Sequence, residues 1–98
     1  MRLEFSKPAL AELDDILRFL SERSRLGAAH VEARLRHAFD HIVDFPEAAQ
    51  TVEQRPTVRR LPLGRYPYVI YYEIGPDVVT ILRILHGARR PPWEDEGM

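Results

Sequence analysis

After a short alternating start, the apolar residues of this chain keep the three-and-four rhythm of helices until Pro46 and the alternation of strands beyond it. That switch at Pro46 in 98 residues points to a pair of helices followed by a sheet that they cover. That is an α+β arrangement in a single domain over 1–98, because a chain this short holds one core. Before the switch, Arg2 to Phe5 reads as a short N-terminal strand with Leu3 and Phe5 alternating. Ser6 follows as an N-cap, with Pro8 in the first helical turn, where its missing N–H is not needed. Leu10, Leu13, Leu17 and Leu20, widened by Ala9 and Ile16, form one apolar stripe, and Glu12, Asp14, Asp15, Arg18 and Glu22 are expected outside it. Ser24-Arg25-Leu26-Gly27 breaks the pattern. A second stripe of Ala28, Val31, Leu35, Ala38, Phe39 and Ile42 then runs to Phe45-Pro46, which completes an αα-hairpin.

Beyond the switch, Pro46 to Thr57 holds two prolines and little periodicity and is expected to be a connecting loop. Val58 to Leu63, Tyr66 to Ile74 and Val78 to Leu85 read as three antiparallel strands, the last two joined by the turn Gly75-Pro76-Asp77. A hairpin centred on that turn sets Ile74 opposite Val78 and Ile70 opposite Leu82. Tyr68, Ile70, Tyr72, Leu82 and Ile84 then face the helices. Val69, Tyr71, Val79, Ile81 and Leu85, with Arg83 among them, fall on the opposite face, which two helices cannot also cover. Either the 46–57 loop or a partner chain is expected to cover it.

The net charge of -1 conceals a partition. Residues 1–54 carry seven basic and ten acidic side chains, and residues 55–92 carry seven arginines against Glu73 and Asp77. The tail Glu94-Asp95-Glu96 returns to acid. Antiparallel pairing gathers Arg65, Tyr66, His86 and Arg89, with Arg90 and Trp93 close by, into a basic and aromatic rim that could hold a phosphate or stack a base. The same arginines could equally be paired with the acidic helices and the 94–96 tail. His30, His37 and His41 share one face of the second helix with Asp44. Arg34 interrupts them, so a solvated polar face is expected and no metal site. The chain lacks cysteine, a glycine-rich phosphate loop and a serine in a nucleophile-elbow context, so no cofactor is expected. No apolar run approaches the roughly 18 residues of a membrane span. The opening Met1-Arg2-Leu3-Glu4-Phe5 reaches an acid at once, and a cytoplasmic protein is expected.

The stretch Arg60-Leu61-Pro62-Leu63-Gly64-Arg65-Tyr66-Pro67-Tyr68-Val69-Ile70-Tyr71-Tyr72, followed by Ile81-Leu82-Arg83-Ile84-Leu85-His86-Gly87-Ala88-Arg89, resembles the ParE branch of the RelE/ParE toxin superfamily. The resemblance covers essentially the whole chain and implies the toxin of a type II toxin–antitoxin module of the plasmid-stabilising kind. Such a toxin is held inactive by a ParD/RelB-like antitoxin whose flexible C-terminal segment wraps it. Val69, Tyr71, Ile81, Arg83 and Leu85 are then expected to meet the antitoxin. ParE relatives are implied to trap DNA gyrase without chemistry or direct nucleic-acid binding of their own, which makes Arg65, His86, Arg89, Arg90 and Trp93 the expected target-binding set. RelE relatives are implied to cut messenger RNA on the ribosome. Their paired lysines fall here on Arg60 and Pro62, their third-strand arginine on Val69 and their last arginine on Arg89. Arg60, His86 and Arg89 would carry that chemistry if it were present.

Overall fold

The computed structural model describes residues 1–91 and 93. A short strand β1, Arg2–Phe5, leads into two helices, α1 over Lys7–Arg23 and α2 over Arg25–Asp44. Strands β2 (Gln50–Val52), β3 (Arg55–Pro62), β4 (Tyr68–Ile74) and β5 (Val78–His86) follow. They form one five-stranded sheet in the order β1-β5-β4-β3-β2, parallel between β1 and β5 and antiparallel elsewhere.

The helices begin and end for local reasons. The Ser6 hydroxyl accepts the Ala9 N–H at 3.1 Å and donates to the Leu82 carbonyl at 2.6 Å, so one side chain caps α1 and ties it to β5. Only Ser24 separates the helices. Its N–H donates to the Leu20 carbonyl and its hydroxyl accepts from Gly27 N–H, which ends α1 and starts α2 at one residue rather than over the expected four. Ala9 from α1 and Val31, Leu35, Ala38 and Ile42 from α2 pack with Leu63, Ile70, Tyr72, Val79, Ile81 and Ile84 of the sheet side. Leu13, Ile16 and Leu20 join this core, whereas Leu10, expected on the stripe, is 52% exposed.

Three expectations for the sheet are corrected. First, the 46–57 segment is not simply a loop, because residues 50–52 add β2 to β3 and make a five-stranded sheet. The preceding turn is clamped by the cross-strand pair Arg59 and Tyr72. Tyr72 donates to the Pro46 carbonyl at 2.6 Å, and Arg59 donates to the carbonyls of Glu47 and Ala49 at 2.9 and 2.8 Å. Second, β4 and β5 do not keep one register. Ile74 lies opposite Val79 and Tyr72 opposite Ile81, but Tyr71 lies opposite Arg83, so Leu82 is an extra residue in a β-bulge. The bulge falls where β1 ends against Ile81, and the Ser6 hydroxyl takes the bulged carbonyl. Third, as a consequence, Val79 and Ile81 face the helices and are fully buried there, while Leu82 leans on the other face. Counting by two across an unseen bulge reverses every side chain on one side of it.

The second face is covered by the chain itself. Val69, Tyr71 and Leu85 pack with Val52 and Val58 from β2 and β3 and with Trp93, which reaches back over the sheet. The Trp93 and Tyr71 rings meet edge to face at 5.2 Å. Neither the 46–57 segment alone nor a partner chain is what closes this face.

Candidate functional site

Charged groups on this scaffold gather at three places, and each draws on residues singled out in the sequence. The most enclosed is Arg83. Mid-strand on β5, it forms a two-pronged ion pair with Glu12 of α1, Nη2 to Oε2 at 2.6 Å and Nε to both oxygens at 3.0 and 3.1 Å. Glu12 also accepts the Ile84 backbone N–H at 3.0 Å. That amide lies on the β5 edge beyond the end of β1, so a side chain substitutes for a missing strand. Hydrogen bonding to Glu12 raises the Arg83 guanidinium above its ordinary range, outweighing the opposing effect of burial. Arg83 was expected to wait for an antitoxin carboxylate, but its carboxylate is intramolecular. Glu12 was missed because acids were assigned to the solvent side. Its spacing, three after Ala9 and four before Ile16, placed it on the inward face from the start.

The second place is the rim at the end of β5. Tyr68 lies opposite His86, with ring centroids 6.0 Å apart, two positions away from the expected pairing of 66 with 86. Gly87 N–H donates to the Pro67 carbonyl at 2.6 Å and Arg89 N–H to the His86 carbonyl at 2.9 Å, which folds the turn after β5 back on the sheet. The His86 Nδ1 accepts from Ala88 N–H at 3.2 Å, leaving Nε2 as the nitrogen directed elsewhere. His86 and Arg89 line a hollow of about 130 Å³ with Glu12, Asp15, Ile16, Tyr68 and Ile84. It opens toward Phe19 of α1, which is 51% exposed and carries the Arg23 guanidinium 3.7 Å above its ring. Arg65 stands apart from this hollow, 5.9 Å from the Tyr66 ring, and Tyr66 packs against the main core. Arg90 is exposed just beyond the turn.

The third place is on the opposite face. Arg60, exposed on β3, lines a hollow of about 200 Å³ with Gln50, Thr51, Val52, Glu53, Gln54, Tyr71, Pro91 and Trp93. Trp93, expected on the exposed rim, is 7% exposed and is part of the second core. The sheet therefore separates Arg60 from His86 and Arg89. Of the five positions expected to meet an antitoxin, Val69, Tyr71 and Leu85 lie under Trp93, Ile81 is in the main core, and Arg83 is paired with Glu12. His30, His37 and His41 are exposed on α2, and among the described residues no three metal-binding side chains cluster. The expected pairing of arginines with Glu94, Asp95 and Glu96 lies outside the described residues.

A hairpin of helices on one face of a mostly antiparallel sheet, with β1 parallel to the last strand, is the fold of two solved toxin structures. The chromosomal ParDE TA system from P. aeruginosa aligns with a TM-score of 0.63 at 22% identity, covering 88% of this chain and 95% of that one. The isolated E. coli RelE toxin aligns with a TM-score of 0.65 at 21% identity, covering 98% and 93%. Sequence narrows the class. The family described as ParE toxin of type II toxin-antitoxin system, parDE, matches residues 3–91. Toxin Y4kP of Sinorhizobium fredii is 32% identical over 91 residues, 93% of each chain. Toxin RelE2 of Caulobacter vibrioides is 36% identical over 81 residues, 83% of this chain and 89% of that one. The chain belongs to the ParE toxin family of type II toxin–antitoxin systems.

Proposed function

We propose that this toxin acts by binding DNA gyrase and stalling it on cleaved DNA, with no bond-breaking chemistry of its own. The observation that carries this reading is the separation of Arg60 from His86 and Arg89 on opposite faces of the sheet. Ribosome-dependent cleavage requires several cations around one phosphate, to neutralise charge that develops as the bond breaks. Here Pro62 and Val69 stand where two of those cations would be, and the remaining candidates do not converge. A gyrase poison needs a surface that fits one state of its target, and this reading assigns that role to the His86–Arg89 rim beside exposed Phe19.

A cognate antitoxin in the cytoplasm neutralises the toxin in this reading. Val69, Tyr71 and Leu85 are already covered, so this reading places the antitoxin on exposed apolar residues of the helices, Leu10, Phe19 and Leu26 at 52%, 51% and 68% exposed, with Phe45 at the end of α2 also open at 60%. The test is a paired assay of purified toxin, supercoiling by gyrase beside primer extension on translated message. Loss of supercoiling with accumulation of gyrase-linked breaks and intact message is the expected result. Codon-phased cuts with normal supercoiling would overturn it in favour of an endoribonuclease.

A further inference from the structure

The hollow at the end of β5 widens toward Phe19 to about 420 Å³, and its polar groups are unevenly engaged. The acids are held within the chain. Glu12 gives its carboxylate to the Arg83 fork and the Ile84 N–H, and Asp15 lies 4.0 Å from the Arg18 guanidinium. The donors are open. The Arg89 guanidinium and the Tyr68 hydroxyl make no hydrogen bond or ion pair with the other described residues. His86 accepts the Ala88 N–H at Nδ1, so the neutral ring carries its proton on Nε2 and has one N–H to offer. Between these groups the lining is apolar, with Ile16 and Ile84 inside and Phe19 at the mouth, half exposed under the Arg23 guanidinium.

Unused donors over an apolar floor select a ligand with an acceptor group next to an apolar body. Charge decides which acceptor. The guanidiniums of Arg18, Arg23, Arg83 and Arg89 stand against the carboxylates of Glu12, Asp14 and Asp15, which leaves an excess of one positive charge. A carboxylate carries one negative charge and takes both prongs of an arginine fork. A phosphate monoester carries nearly two, which one guanidinium does not match. A nucleic-acid backbone needs a row of cations along its path, and here Arg89 is the one guanidinium in the lining, with Asp15 in the same lining. Exposed Phe19 identifies the source of the carboxylate. A small free acid would leave that ring in water, whereas a protein surface covers it, and arginine and aromatic side chains are the ones that anchor protein interfaces.

We propose that this hollow seats an apolar side chain and a neighbouring carboxylate from the surface of a protein partner. The carboxylate meets Arg89 and the His86 Nε2–H, and the apolar group lies against Phe19, Ile16 and Ile84. The partner's identity rests on the gyrase reading, and the contact is then with gyrase protein and not with its DNA.

Two assays keep the hollow and that reading apart. In the first, the capped dipeptide N-acetyl-leucyl-aspartate amide is titrated into the full-length toxin, and the His86 ring protons, assigned by their loss in His86→Asn, are followed by NMR. The expected result is a saturable shift, weakened roughly tenfold or more by Arg89→Gln, the size of effect that one lost charge-assisted bond produces. The dipeptide with asparagine in place of aspartate should bind comparably weakly. Arg36→Gln, on an exposed helical residue paired with Glu32, should leave the shift unchanged. Arg89 is exposed and its backbone bond to the His86 carbonyl survives the replacement, so the variant should fold, which a circular dichroism spectrum checks. No shift at millimolar dipeptide, or equal binding by Arg89→Gln, would overturn the proposal. A shift produced by inorganic phosphate or short single-stranded DNA but not by the dipeptide would overturn it in favour of a phosphate site.

In the second assay the same proteins are tested against supercoiling by gyrase. Arg89→Gln and Phe19→Ala should each raise the toxin concentration for half-inhibition roughly tenfold, with Arg89→Lys recovering part of the loss. Undiminished inhibition by both variants would overturn the proposal even where the dipeptide binds. If the unaltered toxin leaves supercoiling untouched while Arg89-dependent dipeptide binding remains, the gyrase reading falls and the hollow stands as the contact for a different protein.

Discussion

Glu12 carries more at the level of single residues than any catalytic candidate, because one carboxylate satisfies the Arg83 fork and the Ile84 amide together. Its side chain is 16% exposed and that of Arg83 is 23% exposed, so solvent replaces little of what a mutation removes. Glu12→Ala leaves a guanidinium and a backbone N–H without acceptors, and we expect a loss of about 2–3 kcal/mol in urea denaturation. The double variant Glu12→Leu with Arg83→Met should recover part of that loss, since the cost of one stranded charge disappears. Tyr72 gives the fold an alkaline pH dependence. Burial pushes its phenol above the ordinary range, against the opposing pull of Arg59 and of a backbone bond at Ala49. A raised folded value means that this group's stability is complete below the unfolded phenol's value of about 10 and is lost as pH rises through the folded one. Tyr72→Phe should therefore lose about 1 kcal/mol at neutral pH, where the Pro46 carbonyl is stranded, and show a flatter decline above pH of about 10. Thermal unfolding across an alkaline pH series measures both effects.

Among the elements, Ser6 and Ser24 occupy equivalent capping roles with unequal connections. Ser24 caps α2 locally, with its hydroxyl exposed, and Ser24→Ala should cost about 1 kcal/mol. Ser6 caps α1 and also holds the bulged carbonyl of Leu82 across the sheet, so Ser6→Ala should cost about 2 kcal/mol and, unlike Ser24→Ala, loosen hydrogen-exchange protection in β5. The two helices, β3, β4 and β5 were legible in the sequence because their periodicity is sustained and the helix caps are standard, and the four-residue β1 was legible from the alternation of Leu3 and Phe5. The bulge was not, because a period-two count carries no mark where one residue is inserted, and Leu82 is as apolar as its neighbours. β2 was hidden for a different reason. Three residues, Gln50-Thr51-Val52, show no alternation of their own and become a strand only because Arg59 and Tyr72 hold the preceding turn against the sheet. The candidate site suffered from both gaps: Ile81 changed face with the bulge, and the Trp93 hollow has β2 as one wall. His86 and Arg89 were placed together correctly because the turn after β5 is local, whereas Arg60 required knowledge of which face β3 presents.

For the molecule as a whole, the sheet has a core on each side, and the smaller one is closed by a residue near the C-terminus. Trp93→Ala should remove the cover from Val69, Tyr71 and Leu85 and cost about 3 kcal/mol, with increased binding of a hydrophobic dye in the folded state. Chemical denaturation and dye fluorescence at low denaturant check these separately, and a variant as stable as the parent would mean that the face is closed without the indole. The parallel pairing of β1 with β5 has a further consequence for how the protein comes into being. Strands β1 and β5 are neighbours although far apart in sequence, so Leu3 and Phe5 have no strand to pair with until the chain has been translated through Ile81. The β2–β3, β3–β4 and β4–β5 pairs are local, but the β1–β5 pair must wait for this long-range contact, which is slow to form and leaves an apolar edge open in the meantime. A chain truncated ahead of β5 loses the strand that joins β1 to β4, so we expect it not to fold, which a circular dichroism spectrum of the truncated protein checks.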